Sequence, residues 1–167
     1  MIPISQTAGP LRIVVIGNSA SGKSTLASSL ASEHGLEHLD LDTLAWQSTT
    51  PPERVPLNIA EKELRQFTSR HDRWVVEGCY ADLMALLLAE ATELMFLDLP
   101  VEACQRNARV RPWEPHKYPS KDAQDANLAM LSDWIAAYPT RSGVLGRQAH
   151  QELFDSFKGK KQRRVEQ

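Results

Sequence analysis

Apolar residues along the chain fall into short β-branched runs that alternate with longer stretches of helical spacing, and this alternation predicts most of the architecture. The first run, Leu11-Arg12-Ile13-Val14-Val15-Ile16, precedes a helix over residues 24–31 that Gly35 stops. Residues 36–42 read as a second strand ending in two carboxylates, after which Thr49-Thr50-Pro51-Pro52 breaks the chain. A helix over 58–70 carries Ile59, Leu64 and Phe67, and Trp74-Val75-Val76, bounded by Glu77-Gly78, is a third strand. Residues 81–90 form an apolar helix, 94–99 a fourth strand, and Pro100 suits the first turn of a helix ending near residue 109. The proline-rich segment 111–119 reads as a mobile loop, and helical spacing resumes over 122–138 and 148–157. The tail from 160 reads equally well as a fifth, edge strand through Arg163-Arg164-Val165 or as a solvated charged tail. Strands and helices in this order predict an α/β fold: a parallel sheet covered on both faces, with its site at the carboxyl ends of the strands.

Composition narrows the partners. A chain of 167 residues supports one domain, which here spans 1–167 with a loose lead-in over residues 1–10. A net charge of -2 gives no general attraction to nucleic acid or anionic lipid. The apolar runs are too short to span a bilayer and no secretory leader pattern precedes them, so the expected location is the cytoplasm. Cys79 and Cys104 form neither a C-x-x-C pair nor a disulfide framework, and are expected to remain thiols.

The chemistry is concentrated at Gly17-Asn18-Ser19-Ala20-Ser21-Gly22-Lys23-Ser24, a complete G-x-x-x-x-G-K-[ST] loop between the first strand and first helix. Gly17 and Gly22 let the backbone curl so that consecutive N–H groups point inward, and the helix N-terminus adds partial positive charge to the same hollow. A polyphosphate is the natural occupant: Lys23 reaches its β and γ oxygens, Ser24 ligates Mg²⁺, and Thr25 is a neighbouring hydroxyl.

Four segments carry a family resemblance. Besides the loop, these are His38-Leu39-Asp40-Leu41-Asp42-Thr43-Leu44-Ala45-Trp46, Trp74-Val75-Val76-Glu77-Gly78-Cys79-Tyr80, and Leu97-Asp98-Leu99-Pro100 followed by Arg106 and Arg109. Together they resemble the P-loop kinases of nucleoside monophosphates and small molecules, adenylate and shikimate kinases included, and above all the adenylate-kinase-related proteins labelled DNA topology modulation proteins. The resemblance covers roughly residues 11–160. It implies a P-loop NTPase fold with a five-stranded parallel sheet of order 2-3-1-4-5, an acceptor-side insertion over 46–73 and a short lid over 110–121. It also implies ATP and Mg²⁺ as cofactors and transfer of the γ-phosphate to a small-molecule acceptor, a nucleotide or a hydroxyl metabolite. Adenylate kinases carry D-G-F-P-R where this chain has Glu77-Gly78-Cys79-Tyr80-Ala81, which disfavours AMP. The glycine triplet of shikimate kinases is also missing, which disfavours shikimate.

Phosphoryl transfer needs a phosphate cradle, a metal, cations and a carboxylate that orients the acceptor. Asp42 is the candidate for the acceptor hydroxyl, while Asp40 and Glu77 are placed with Ser24 around Mg²⁺. Competing readings make one of the two aspartates a cap and Glu77 an arginine partner. Arg106 and Arg109, three apart on one helix, are candidate phosphate clamps with Arg111 as a third option; a solvated helix end is the alternative. Asp98 is expected to cap the helix at Pro100, and His150 to be a packed or surface histidine. The basic cluster at 158–164 supports a second class of function, a nucleotide-gated regulator associated with nucleic acid or a protein partner. Nucleic acid is the less favoured partner, and a monomer or homodimer is expected.

Overall fold

The structure, a computed structural model, describes residues 9–167, so most of the expected loose lead-in over 1–10 lies outside the described residues. Five strands form one parallel sheet: β1 (Leu11–Gly17), β2 (Glu37–Asp40), β3 (Arg73–Gly78), β4 (Glu93–Leu97) and β5 (Lys160–Arg164), in the order β2-β3-β1-β4-β5. Successive residues of β1 point to opposite faces, which explains its unbroken apolar run: both faces are buried. Val14 and Ile16, with Trp74, Val76, Leu94 and Phe96, build the larger core under α3 (Leu57–Arg70), α4 (Ala81–Ala85) and α8 (Arg147–Ser156). Ile13 and Val15, with Val75 and Met95, face α1 (Lys23–His34). A third cluster joins α5 (Val101–Val110) to α7 (Leu128–Ala137) through Cys104, Ala108 and Ile135 and reaches Ala20 in the glycine loop.

Three expectations shift. The apolar helix expected over 81–90 stops at Ala85, because Leu86 and Leu87 donate to carbonyls three residues back, tightening the chain into turns. The helix expected over 122–138 divides at Asn127 into α6 (Lys121–Ala126), capped by Ser120, and α7. The Asn127 amide donates to the Tyr118 hydroxyl at 2.8 Å. The tail resolves in favour of the edge strand, beginning at Lys160, because its charges find local partners: Lys160 lies 3.6 Å from Glu93 and Arg163 binds Asp98.

Asp98 does not cap α5. Its buried carboxylate takes Arg147 at 2.8 and 2.7 Å as well as Arg163, and its N–H donates to the Arg164 carbonyl, so it ties the end of β4 to α8 and β5. Burial pushes its pKa up, but the bonds to the two guanidiniums outweigh that and hold it below the ordinary carboxylate value. Because the folded pKa is the lower one, this contribution is present above the unfolded value and is lost as pH falls through the folded one. Asp98→Asn is therefore expected to cost about 1–2 kcal/mol at pH 7, with both arginines partly solvated. Urea melts of the two proteins at pH 7 and in acid check this: the difference should shrink as the pH drops below about 4.

Candidate nucleotide and acceptor site

The loop between β1 and α1 has the backbone an anion cradle needs. Gly22 sits at φ +92°, where a side chain is strained, and a Cβ on Gly17 would lie 2.7 Å from the Leu97 carbonyl oxygen. Ala20 also takes a left-handed conformation, at φ 59°. Distant elements brace the loop. The Asn18 amide donates to the Ile135 carbonyl on α7 at 3.2 Å, and the Asn107 amide on α5 donates to the Ala20 carbonyl at 2.9 Å. Two buried oxygens of the loop, Asn18 Oδ1 and Ser21 Oγ, have no hydrogen-bond partner among the described residues. The Lys23 ammonium donates to the Asn18 carbonyl at 2.6 Å, folded back over the hollow.

Parallel pairing of β2 with β3 sets Asp40 beside Glu77, and the Leu41 N–H donates to the Glu77 carbonyl at 2.9 Å. Ser24 Oγ donates to Glu77 Oε1 at 2.8 Å, and His38 Nε2 lies 3.8 Å from the same oxygen. Burial pushes Glu77 up, but the nearby His38, the charge of Lys23 and the hydrogen bond from Ser24 bring it below its ordinary value. Asp40 goes the other way: burial, then the charges of Glu77 and Asp42, raise it to about 6, even though its Oδ1 accepts the Asp42 N–H at 2.9 Å.

Asp42, at the start of α2 (Asp42–Ala45), has both oxygens engaged. Tyr80 donates its hydroxyl to Oδ1 and in turn accepts the Trp46 indole N–H at 2.7 Å, while Lys117 lies 3.1 Å from Oδ2. Burial raises Asp42, but Lys117 and Tyr80 more than offset this and the carboxylate stays below its usual range. Sequence reasoning missed both partners. Lys117 carried no signal beyond a cation within the segment read as a lid, and Tyr80 none beyond closing the segment Trp74–Tyr80 that carries the resemblance.

These groups line one cleft of about 960 Å³ that runs from the loop past Asp40, Asp42 and Glu77 to Arg111 and Trp113. Lys23, Ser24, Thr25 and the rest of the loop from Ser19 lie along it, while Gly17 and the buried Asn18 shape the loop from behind. Arg106 and Arg109 are not brought in. Ala103, Cys104 and Ala108 bury one face of α5, which turns Asn107, Val110 and Arg111 toward the cleft and leaves Arg106 and Arg109 exposed on the outer side. Three-residue spacing puts two arginines on a shared face, but only packing decides which way that face looks.

His150 is fully buried. Its Nε2 donates to the Cys79 carbonyl at 2.7 Å, so its Nδ1 accepts the Tyr138 hydroxyl at 2.6 Å, and burial lowers its pKa to about 4, keeping this neutral tautomer. The C-terminal helix thereby pins the turn that follows Glu77.

Among the described residues, no group of three or more His, Cys, Asp or Glu side chains could hold a metal alone. Ser24, Glu77 and Asp40 form instead the kind of partial oxygen shell that suits Mg²⁺, which keeps waters and shares phosphate oxygens. The left-handed backbone at Ala20 and Gly22 and the folded-back Lys23 fit a cradle with room for a triphosphate.

The family model described as AAA domain matches residues 13–139. Solved structures that superpose on the chain include two shikimate kinases. The one from Acinetobacter baumannii in complex with shikimate has 21% identity, covers 90% of this chain and 95% of that chain, and gives a TM-score of 0.45. The one from Bacteroides thetaiotaomicron has 15% identity, 87% and 97% coverage and a TM-score of 0.46. No curated protein sequence matches.

The crowding of Asp40 has a measurable consequence. Its folded pKa exceeds its unfolded one, so the folded state binds the extra proton, and the metal-free protein loses stability as pH rises from about 4 to about 6. Asp40→Asn is expected to stabilise the metal-free protein at pH 7 by about 1–2 kcal/mol. Denaturant melts at pH 4 and pH 7 without Mg²⁺ check it, and equal stability at pH 7 would contradict the account.

Proposed function

We propose, for a chain that belongs to the AAA domain family of P-loop kinase-like NTPases, that it transfers the γ-phosphate of ATP·Mg²⁺ to a hydroxyl group of a small molecule. The observation that carries this reading is the convergence in one cleft of a braced glycine loop, Lys23, the Ser24–Glu77 hydrogen bond and a separate carboxylate, Asp42.

In this reading the loop N–H groups and Lys23 hold the β and γ phosphates. Ser24, Glu77 and Asp40 would hold Mg²⁺, which would neutralise charge on the phosphate oxygens. Asp42 orients the acceptor hydroxyl and takes its proton as the new O–P bond forms and the bond to the β-phosphate oxygen breaks, leaving ADP. Tyr80, donating to Asp42 Oδ1, fixes which oxygen faces the acceptor. Residues 110–121 act as the lid and 46–73 as the acceptor-side insertion; Arg111, on the cleft wall, replaces Arg106 and Arg109 as the arginine that reaches phosphate.

A hydroxyl acceptor without its own phosphate or carboxylate fits best. Arg54 is committed to Asp82 at 3.0 and 3.2 Å, and Arg141 donates to the Leu145 and Trp134 carbonyls. On the lid side of the cleft, Lys117 is paired with Asp42 and Arg111 with Glu114. The regulatory reading would draw on the basic C-terminal cluster, and its cations have local uses: Lys161 donates to the Phe154 carbonyl, Arg163 binds Asp98, and Arg164 lines the cleft.

An acceptor screen with γ-labelled ATP, pairing neutral hydroxyl compounds with their phosphorylated or acidic counterparts, tests the proposal. The expected outcome is label in a neutral compound, none with Lys23→Ala, and a rate roughly 10²-fold lower with Asp42→Asn at unchanged ATP affinity. Undiminished transfer by both variants would remove the assignment.

A further inference from the structure

The lid segment is ordered by its own bonds and by bonds from α6 and Asn127. Arg111 pairs with Glu114 at 3.1 Å, Trp113 donates its indole N–H to the Tyr118 carbonyl at 3.0 Å, and the Gln124 side chain accepts the Glu114 N–H at 2.9 Å. Among the described residues, one ion pair or hydrogen bond crosses from this segment to the opposite wall of the cleft: Lys117 to Asp42 Oδ2. The ammonium is also held 3.6 Å from Glu114, so the lid presents it ready-aimed.

Oδ1 of Asp42 is the more crowded oxygen, because Tyr80 donates to it and is itself fixed by Trp46. Arg54 lies over the Tyr80 ring, 4.9 Å from its centroid, so the phenol has little room to swing away. Oδ2 is therefore the oxygen that best suits an incoming hydroxyl, and Lys117 stands on it.

We infer that Lys117 is an acceptor-displaced plug: without acceptor it occupies the oxygen of Asp42 that the acceptor hydroxyl needs, and so ties lid position to acceptor entry. The inference rests on the reading of Asp42 as the acceptor carboxylate. Two consequences follow. The plug holds the lid across the cleft between turnovers, and it denies Asp42 to water, which restrains transfer of phosphate to solvent when no acceptor is present. When an acceptor takes Oδ2, the released ammonium stays on the lid, in the cleft that the glycine loop also lines.

Amide hydrogen exchange of residues 111–118 and acceptor-free hydrolysis of Mg·ATP, measured on the full chain, test this together. Lys117→Met and Asp42→Asn are each expected to speed lid exchange several-fold, the double variant no further, and Lys117→Arg to stay near the parent. Acceptor-free hydrolysis is expected to rise at least threefold in Lys117→Met, and to lose that rise once Asp42→Asn is added, a response that a merely structural lysine does not give. Unchanged lid exchange in Lys117→Met, or hydrolysis that stays level or falls, overturns the plug. Calorimetry on the parent separates the two readings: absent Mg·ATP uptake sinks the phosphotransferase and the plug with it, whereas normal uptake with a failed exchange or hydrolysis result sinks the plug alone.

Discussion

Parallel pairing of β1 between β3 and β4 is the constraint on which the site depends. With Val15 opposite Glu77 and Ile16 opposite Gly78, the strand that feeds the glycine loop ends level with the strand that delivers the buried carboxylate. The Ser24–Glu77 hydrogen bond then closes across 53 residues of chain. A shift of one register position would turn Glu77 to the other face and break the bond, and both apolar faces of β1 and β3 oppose such a shift.

The cleft carries an electrostatic load that the fold tolerates rather than relieves. Asp40, Asp42 and Glu77 sit close enough that Asp40 holds a proton well above its ordinary range, while its two neighbours remain charged only through hydrogen bonds and nearby ammonium groups. Grouping like charges at a strand end opposes folding, and the arrangement makes sense where a divalent cation and a transferring phosphate supply the missing positive charge and the reacting group. Away from the cleft, carboxylate chemistry is conventional: Asp98, with two arginines, is a tie between elements.

Some of this was legible in particular residues. The G-x-x-x-x-G-K-S spacing, flanked by a β-branched run and a helix, marks the cradle because the conformation it needs is local, and Gly22 does adopt the left-handed backbone. The short apolar runs of β1 and β3 and the order of strands and helices gave the parallel sheet, whose order 2-3-1-4-5 came from the family resemblance. Other features were not legible. Arg106 and Arg109 shared a face as the spacing required, but the burial of Cys104 and Ala108 decided that the face points outward. The charged stretch from Lys160 gave no sign of whether it pairs, since its partners Glu93 and Asp98 are remote in sequence.

The chain alone thus specifies what depends on neighbours within a few residues: the phosphate loop, the kinds of element and the carboxylates at strand ends. Tertiary packing decides what depends on elements meeting: Asn107 and Asn18 as braces of the loop, Lys117 and Tyr80 on the two oxygens of Asp42, and the orientation of α5. The physical reason is the range of each determinant. Backbone conformation and hydrophobic period are written locally, whereas the direction a helix face looks and the partner a charge finds are set by which surfaces bury each other.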